Sequence, residues 1–183
     1  MEKTVSEAIQ NRRSVRIFNG KKIDSNKVKN CIYNATLAPN SSNLQLWEFI
    51  HVNDPLNLQE LSKACMNQSA AKTASQIVVV VTRKDLWKKR SKENIEFLNT
   101  QFKKNLITEK RYKHALKYYE KLIPILYFDI FGLRGIIKYV IFQLIGLFIP
   151  VVRQTTTADL RVVVHKTAGL AAQNFMNSMS AID

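Results

Sequence analysis

Arg12-Arg13-Ser14-Val15-Arg16 brings three guanidinium groups and a hydroxyl into five residues. A guanidinium offers N–H donors in a fixed fork that matches two phosphate oxygens at once. Three of them at a helix–loop junction suit a phosphate ester. The same residues also fit a solvated basic helix end, which the helix dipole favours. Some 25 residues later comes a second polar group, Ala38-Pro39-Asn40-Ser41-Ser42-Asn43-Leu44-Gln45-Leu46-Trp47-Glu48-Phe49. Its short polar side chains and backbone N–H groups can hydrogen-bond a flat heterocycle or a polyol. Other chemistry is weakly represented. Cys31 and Cys65 lack the CxxC spacing of a zinc or redox site and are too few for a disulfide framework. Both fall in apolar helical patterns and read as buried thiols. His51, His114 and His165 read as core or surface residues, and no Ser/His/Asp or Cys/His set stands out.

These groups need elements to hold them. Thr4 and Glu7 fit a capping box opening a short helix with Val5, Ala8 and Ile9 inward. Asp24 or Ser25 caps a second helix, where Val28, Cys31, Ile32 and Ala35 recur at helical spacing, and Pro39 ends it. Asn40 to Asn43 is turn chemistry. Trp47 to Val52 reads as a strand. Asp54-Pro55 punctuates the chain, and Leu58, Leu61, Cys65 and Met66 indicate another helix. Ile77 to Val81 is a β-branched run of the kind buried on both sheet faces. One or two basic helices follow over 85–121, with Ile95, Leu98, Phe102 and Leu106 as the apolar stripe. The uncharged stretch 139–152 is shorter than the ~20 residues of a membrane span and predicts a buried or interfacial hairpin. Thr156 or Thr157 caps a long helix through Ile182, apolar over most of its surface. Its small residues Ala168, Gly169, Ala171 and Ala172 leave room for another backbone.

Taken together, the two polar groups resemble the FMN-dependent nitroreductase family. That family opens with a helix, an Arg-Arg-Ser-x-Arg-x-Phe stretch, a second helix, and a Pro-Ser-x-x-Asn-x-Gln-Pro-Trp-x-Phe segment leading into a strand. The matching residues are Arg12, Arg13, Ser14, Arg16, Phe18, Pro39, Asn43, Gln45, Trp47 and Phe49. Ala74 to Val81 resembles the family's apolar strand, and His165 to Met176 its long core helix, whereas 85–152 matches loosely. The resemblance implies an α+β fold, a three-layer α/β/α arrangement with a central, mostly antiparallel sheet wrapped by helices. It implies FMN at a homodimer interface. Arg12, Arg13, Ser14 and Arg16 would hold the phosphate, ribityl chain and pyrimidine edge from one subunit. Pro39, Asn40, Ser41 and Asn43 would line the flavin from the other, and Asn67 would add an amide. It implies hydride transfer from NAD(P)H through the flavin to a nitroaromatic, quinone or similar acceptor, chemistry that the cofactor carries.

Composition frames this reading. The chain has 183 residues, 46% of them hydrophobic, with five Gly and four Pro. This excludes wholesale disorder and collagen-like chains and fits one domain over 1–183. The N-terminus has no apolar secretory core, so the cytoplasm is the expected location. The net charge of +14 predicts attraction to anions without choosing one. It is concentrated, with thirteen basic against five acidic residues over 83–121. Residues 85–152 are expected to form a helical insertion, a basic block followed by an apolar one. Two departures bear on function. Asn40 and Leu46 replace the family's usual Ser and Pro. Asp183 falls ahead of the strands and the basic pair that complete the family's cofactor pocket, so the sheet is expected to be incomplete. An alternative is therefore a shortened, non-catalytic family member acting through dimer or membrane-surface contacts, with the basic and apolar blocks lying on anionic lipid. Nucleic acid is the weakest partner class, because Lys88-Lys89-Arg90 has no fold motif beside it.

Overall fold

Thr4 starts the first helix, α1 (Val5–Asn11), by the reciprocal bonding its sequence predicts. Its hydroxyl accepts from the Glu7 N–H at 3.3 Å, and the Glu7 carboxylate accepts the Thr4 N–H at 2.7 Å. The bonds from the Thr4 backbone and hydroxyl hold the Glu7 carboxyl below its usual range. Only Ala8 of this helix is buried. Val5 and Ile9, expected inward, are 75% and 54% exposed. The reason lies in what meets α1. Ser180 donates to the Ala8 carbonyl at 2.8 Å, and the Lys3 N–H donates to the Ala181 carbonyl. A polar backbone seam therefore replaces an apolar stripe.

The computed structural model describes residues 2–128, 133–151 and 156–182. Its chain divides into two compact units, Met1–Pro39 with Trp47–Val81 and Ala168–Asp183, and Asn40–Leu46 with Thr82–Thr167.

In the first unit, Asp24 caps α2 (Ser25–Thr36) by accepting from the Asn26 N–H at 2.9 Å. Val28, Cys31 and Ala35 form its buried face, and burial pushes the Cys31 thiol up. Strand β1 (Trp47–Val52) has the predicted limits. Asp54 caps α3 (Pro55–Ala64), with Pro55 at the first helical position where its missing N–H costs nothing. The short α4 (Ser69–Thr73) leads to β2 (Ile77–Thr82). Gln76 pairs with His51 across one end of the two strands. The pair is antiparallel. Ala38, Trp47 and Ala171 form a buried cluster with Phe49 against it.

Two expectations change here. Every residue of β2 is half-buried rather than enclosed, since the strand has one described neighbour, β1. Cys65 is exposed, because α3 ends at Ala64 and the chain then turns left-handed at Met66 and Asn67. Gly169 of α9 (Thr157–Ile182) stands at open space, since a Cβ placed there meets nothing within 4 Å.

In the second unit, α5 (Trp87–Lys103) and α6 (Glu109–Lys117) form a hairpin. It is pinned by Phe102 stacked on Tyr112, 4.4 Å between ring centres, and by the Tyr112 hydroxyl donating to Asn99. Leu106 lies past the end of α5 and is exposed. Surface pairs such as Arg90–Glu93 and Lys113–Glu109 offset part of the basic charge, each a small contribution at such exposure. A π-helical turn (Tyr118–Leu122) runs into α7 (Ile123–Tyr127). The core joins Leu44 and Leu46 to Ile123, Tyr127, Leu160 and Val164.

The stretch 139–152, expected as a buried or interfacial hairpin, begins within the helix α8 (Leu133–Ile145), which follows α7 in the apolar part of the chain. Ile123 and Tyr127 of α7 are buried, whereas Ile136, Ile137, Val140, Ile141 and Leu144 of α8 are exposed. Lys138 ties α8 to the carbonyls of Ile125 and Leu126. Among the described residues no helix is long and apolar enough to cross a membrane. Thr156 and Asp159 cap α9 reciprocally, the Thr156 hydroxyl accepting from the Asp159 N–H at 3.2 Å.

Candidate functional site

The arginine segment belongs to the first unit. The Arg12 N–H makes the last bond of α1, to the Ala8 carbonyl at 3.0 Å, and the chain then leaves in an extended conformation. Arg12 is half-buried; Arg13, Ser14 and Arg16 are exposed. Arg13 donates to the carbonyls of Gln10 and Arg12, folding over the helix end. Among the described residues, no hydrogen bond or ion pair engages the Arg12 or Arg16 guanidinium. Downstream, the Phe18 N–H donates to Thr73, Ser75 donates to the Lys21 carbonyl and Gln76 to that of Ile23, at 2.6–2.9 Å. These bonds lay residues 18–23 along the approach to β2. The result is a row of cationic donors, exposed at Arg13 and Arg16 and half-buried at Arg12, suited to an anionic ligand.

Pro39 ends the exit from α2 in the first unit, exposed. Asn67 is also in this unit, in the left-handed turn after α3. Its N–H donates to the Ser62 carbonyl at 2.8 Å, and its side-chain oxygen accepts from the buried Ser62 hydroxyl at 3.4 Å.

Asn40, Ser41 and Asn43 lie in the second unit, in a short 3-10 turn (Ser41–Asn43). Ser42, Asn43 and Gln45 all have φ between 47 and 59°, a left-handed conformation that costs residues with a Cβ about 1–2 kcal/mol each. The turn is tied from within and from outside. The Asn40 side chain accepts from the Gln45 N–H at 2.9 Å. Leu44 and Leu46 are buried beneath. Asn43 and Asn94 of α5 bond each other twice. The Asn43 amide donates to the Asn94 side-chain oxygen at 3.0 Å, and the Asn94 amide donates to the Asn43 carbonyl at 2.9 Å. The Tyr118 hydroxyl meets the Ser42 hydroxyl at 2.6 Å, and the Tyr119 hydroxyl donates to the Ser42 carbonyl at 3.0 Å. Burial pushes the Tyr119 phenol above its ordinary value. Beside the turn is an open depression of about 220 Å³, lined by Asn43, Gln45, Arg90, Glu93, Asn94 and Phe97.

Of the residues singled out from sequence, the structure therefore groups Arg12, Arg13, Ser14 and Arg16 on one segment and Asn40, Ser41 and Asn43 on one turn. Pro39 and Asn67 belong to the unit of the arginines. Asn94, Tyr118 and Tyr119 carried no signal in the sequence. They stand in a basic stretch where polar and aromatic residues look like surface and stripe. Among the described residues, no group of three His, Cys, Asp or Glu side chains could hold a metal ion.

The sequence profile of the nitroreductase family matches residues 9–183. Several solved structures share the fold. One is a provisionally described NAD(P)H:FMN oxidoreductase of Staphylococcus epidermidis, with a TM-score of 0.65 at 17% identity, covering 99% of this chain and 71% of that one. A nitroreductase family protein of Streptococcus pneumoniae gives 0.61 at 21%, over 97% and 72%. A provisionally described nitroreductase of Exiguobacterium sibiricum, solved in complex with FMN, gives 0.61 at 20%, over 98% and 70%. A comparison with curated proteins finds no match. With the profile matching residues 9–183 of 183, the chain belongs to the nitroreductase family.

Proposed function

We propose that this protein is an FMN-dependent oxidoreductase that takes reducing equivalents from NAD(P)H and passes them to a nitroaromatic, quinone or similar acceptor. Family membership supports an oxidoreductase, and one structural neighbour was solved with FMN. The observation that carries the reading to this chain is the arginine segment. Two of its three guanidinium groups have no described partner, and all three lie within five residues of an exposed hydroxyl. Such a donor set fits a phosphomonoester better than a structural role, in which the guanidinium groups would be paired.

When bound, FMN supplies the two-electron hydride chemistry, and the protein supplies binding, orientation and electrostatics. Arg12, Arg13, Ser14 and Arg16 would hold its phosphate, ribityl chain and pyrimidine edge, the guanidinium groups as charged N–H donors. The turn Asn40–Ser41–Asn43, with Pro39 before it, presents short polar groups to the ring, and Asn67 offers its amide. The homodimer, in which one subunit provides the arginine segment and the other the turn, is part of the proposal. So is the single domain over 1–183, with 85–152 as a helical insertion within it.

The reading is tested by incubating the full chain with FMN, removing the excess and following NADH or NADPH oxidation with a nitroaromatic or a quinone. Acceptor-dependent oxidation is the expected result. Protein that holds FMN but oxidises neither nucleotide would contradict the enzymatic reading and favour the non-catalytic one.

A further inference from the structure

Three consecutive facts about the turn call for a cause. Ser42, Asn43 and Gln45 are left-handed without being glycine. Such backbone persists only where the surroundings over-determine it. Asn40 holds the Gln45 N–H from within the turn, whereas the bonds on Ser42 and Asn43 come from the basic segment that neither charge nor motif explained. Asn94 of α5 takes both the side chain and the carbonyl of Asn43. It is itself fixed, its amide also donating to the Arg90 carbonyl one turn earlier at 3.0 Å. Tyr118 and Tyr119 bond the hydroxyl and the carbonyl of Ser42. Buried Ser91 donates to the Tyr119 carbonyl at 3.1 Å, joining α5 to the π-helical turn. The two ring centres of Tyr118 and Tyr119 are 5.3 Å apart and nearly perpendicular, which fixes both hydroxyls together.

We infer that Asn94, Tyr118 and Tyr119 are positioning residues: they form a clamp that holds Ser42 and Asn43 in the left-handed conformation needed to receive the flavin. The inference rests on the FMN reading above. It gives the 83–121 segment a task that its charge does not reveal. The lysines face solvent, and the uncharged residues between them grip the turn. Asn94 matters most, because a single amide satisfies an acceptor and a donor on Asn43. Leucine at that position keeps the shape and loses both bonds. Aspartate keeps the acceptor for the Asn43 amide and loses the donor to its carbonyl.

The test uses the full chain with Asn94→Leu, Asn94→Asp and Tyr119→Phe. Two quantities are read, hydrogen exchange of the backbone amides over 40–46 without flavin, and the FMN dissociation constant from quenching of flavin fluorescence. Asn94→Leu is expected to speed exchange over 40–46 and to weaken FMN roughly tenfold, the scale of one or two lost hydrogen bonds. Asn94→Asp and Tyr119→Phe should fall between it and the parent. Exchange in α6 and α9 should stay unchanged, which a merely destabilised fold would not show. Parental exchange and parental FMN affinity in both Asn94→Leu and Tyr119→Phe would overturn the clamp. A parent chain that takes up no FMN would overturn the flavin reading, and the exchange over 40–46 would still decide whether these residues hold the turn.

Discussion

Cys31 and Cys65 share their chemistry and differ in surroundings. Cys31 faces inward from α2, and burial disfavours its thiolate, the reactive form. Cys65 sits where α3 has already ended and is exposed. A disulfide reagent at neutral pH should label one thiol per native chain quickly and the second only on unfolding. Two fast thiols would show that α2 does not bury its inner face. The same contrast explains what could be read at this scale. Helical spacing identifies a residue's face, and it identified Val28, Cys31 and Ala35 correctly. It does not identify where a helix stops, so Cys65 was assigned a face on a helix that ends one residue earlier. Val5 and Ile9 show a related failure. Their spacing is helical, but the partner of α1 is polar backbone, and no pattern within 5–11 reveals a partner near residue 180.

Elements were legible where a local rule applies. Thr4 with Glu7, and Asp24, each begin a helix where capping chemistry requires it. Strand β1 runs from Trp47 to Val52 as its alternation and flanking turn predict. The apolar segment after Leu122 was not legible, because hydrophobicity states a cost of exposure and not which residues escape it. Ile123 is fully buried in α7, whereas Phe148 beyond α8 is 86% exposed. Ile123→Ala should therefore destabilise the protein by about 3 kcal/mol, through lost burial and the cavity left behind. Phe148→Ser should change stability by less than about 0.5 kcal/mol. Denaturant unfolding of both variants checks this, and equal losses would mean that Phe148 is packed in solution. The clamp on Ser42 and Asn43 was illegible for another reason. Its partners are 51 and more residues away in sequence, beyond any helical or strand period.

For the molecule as a whole, the net charge of +14 separates into parts with different tasks. Arg12, Arg13 and Arg16 are the donors proposed to hold FMN. Much of the rest lies on the exposed faces of α5 and α6, while uncharged Asn94 of α5 and Tyr118 and Tyr119 of the π-helical turn bond Asn43 and Ser42. The fold class was legible because two polar motifs, spaced about 25 residues apart, resemble one family's cofactor site, and the nitroreductase profile over 9–183 agrees. The most direct measurement is an equilibrium titration of the full chain with FMN, alongside the double variant Arg13→Ala/Arg16→Ala. The account predicts saturable, stoichiometric binding by the parent. It predicts at least a hundredfold weakening in the double variant, about 3 kcal/mol for two lost charge-assisted contacts, with an unfolding midpoint close to the parent's because both residues are exposed. Equal FMN affinity in parent and double variant, or no binding by a folded parent, would contradict it.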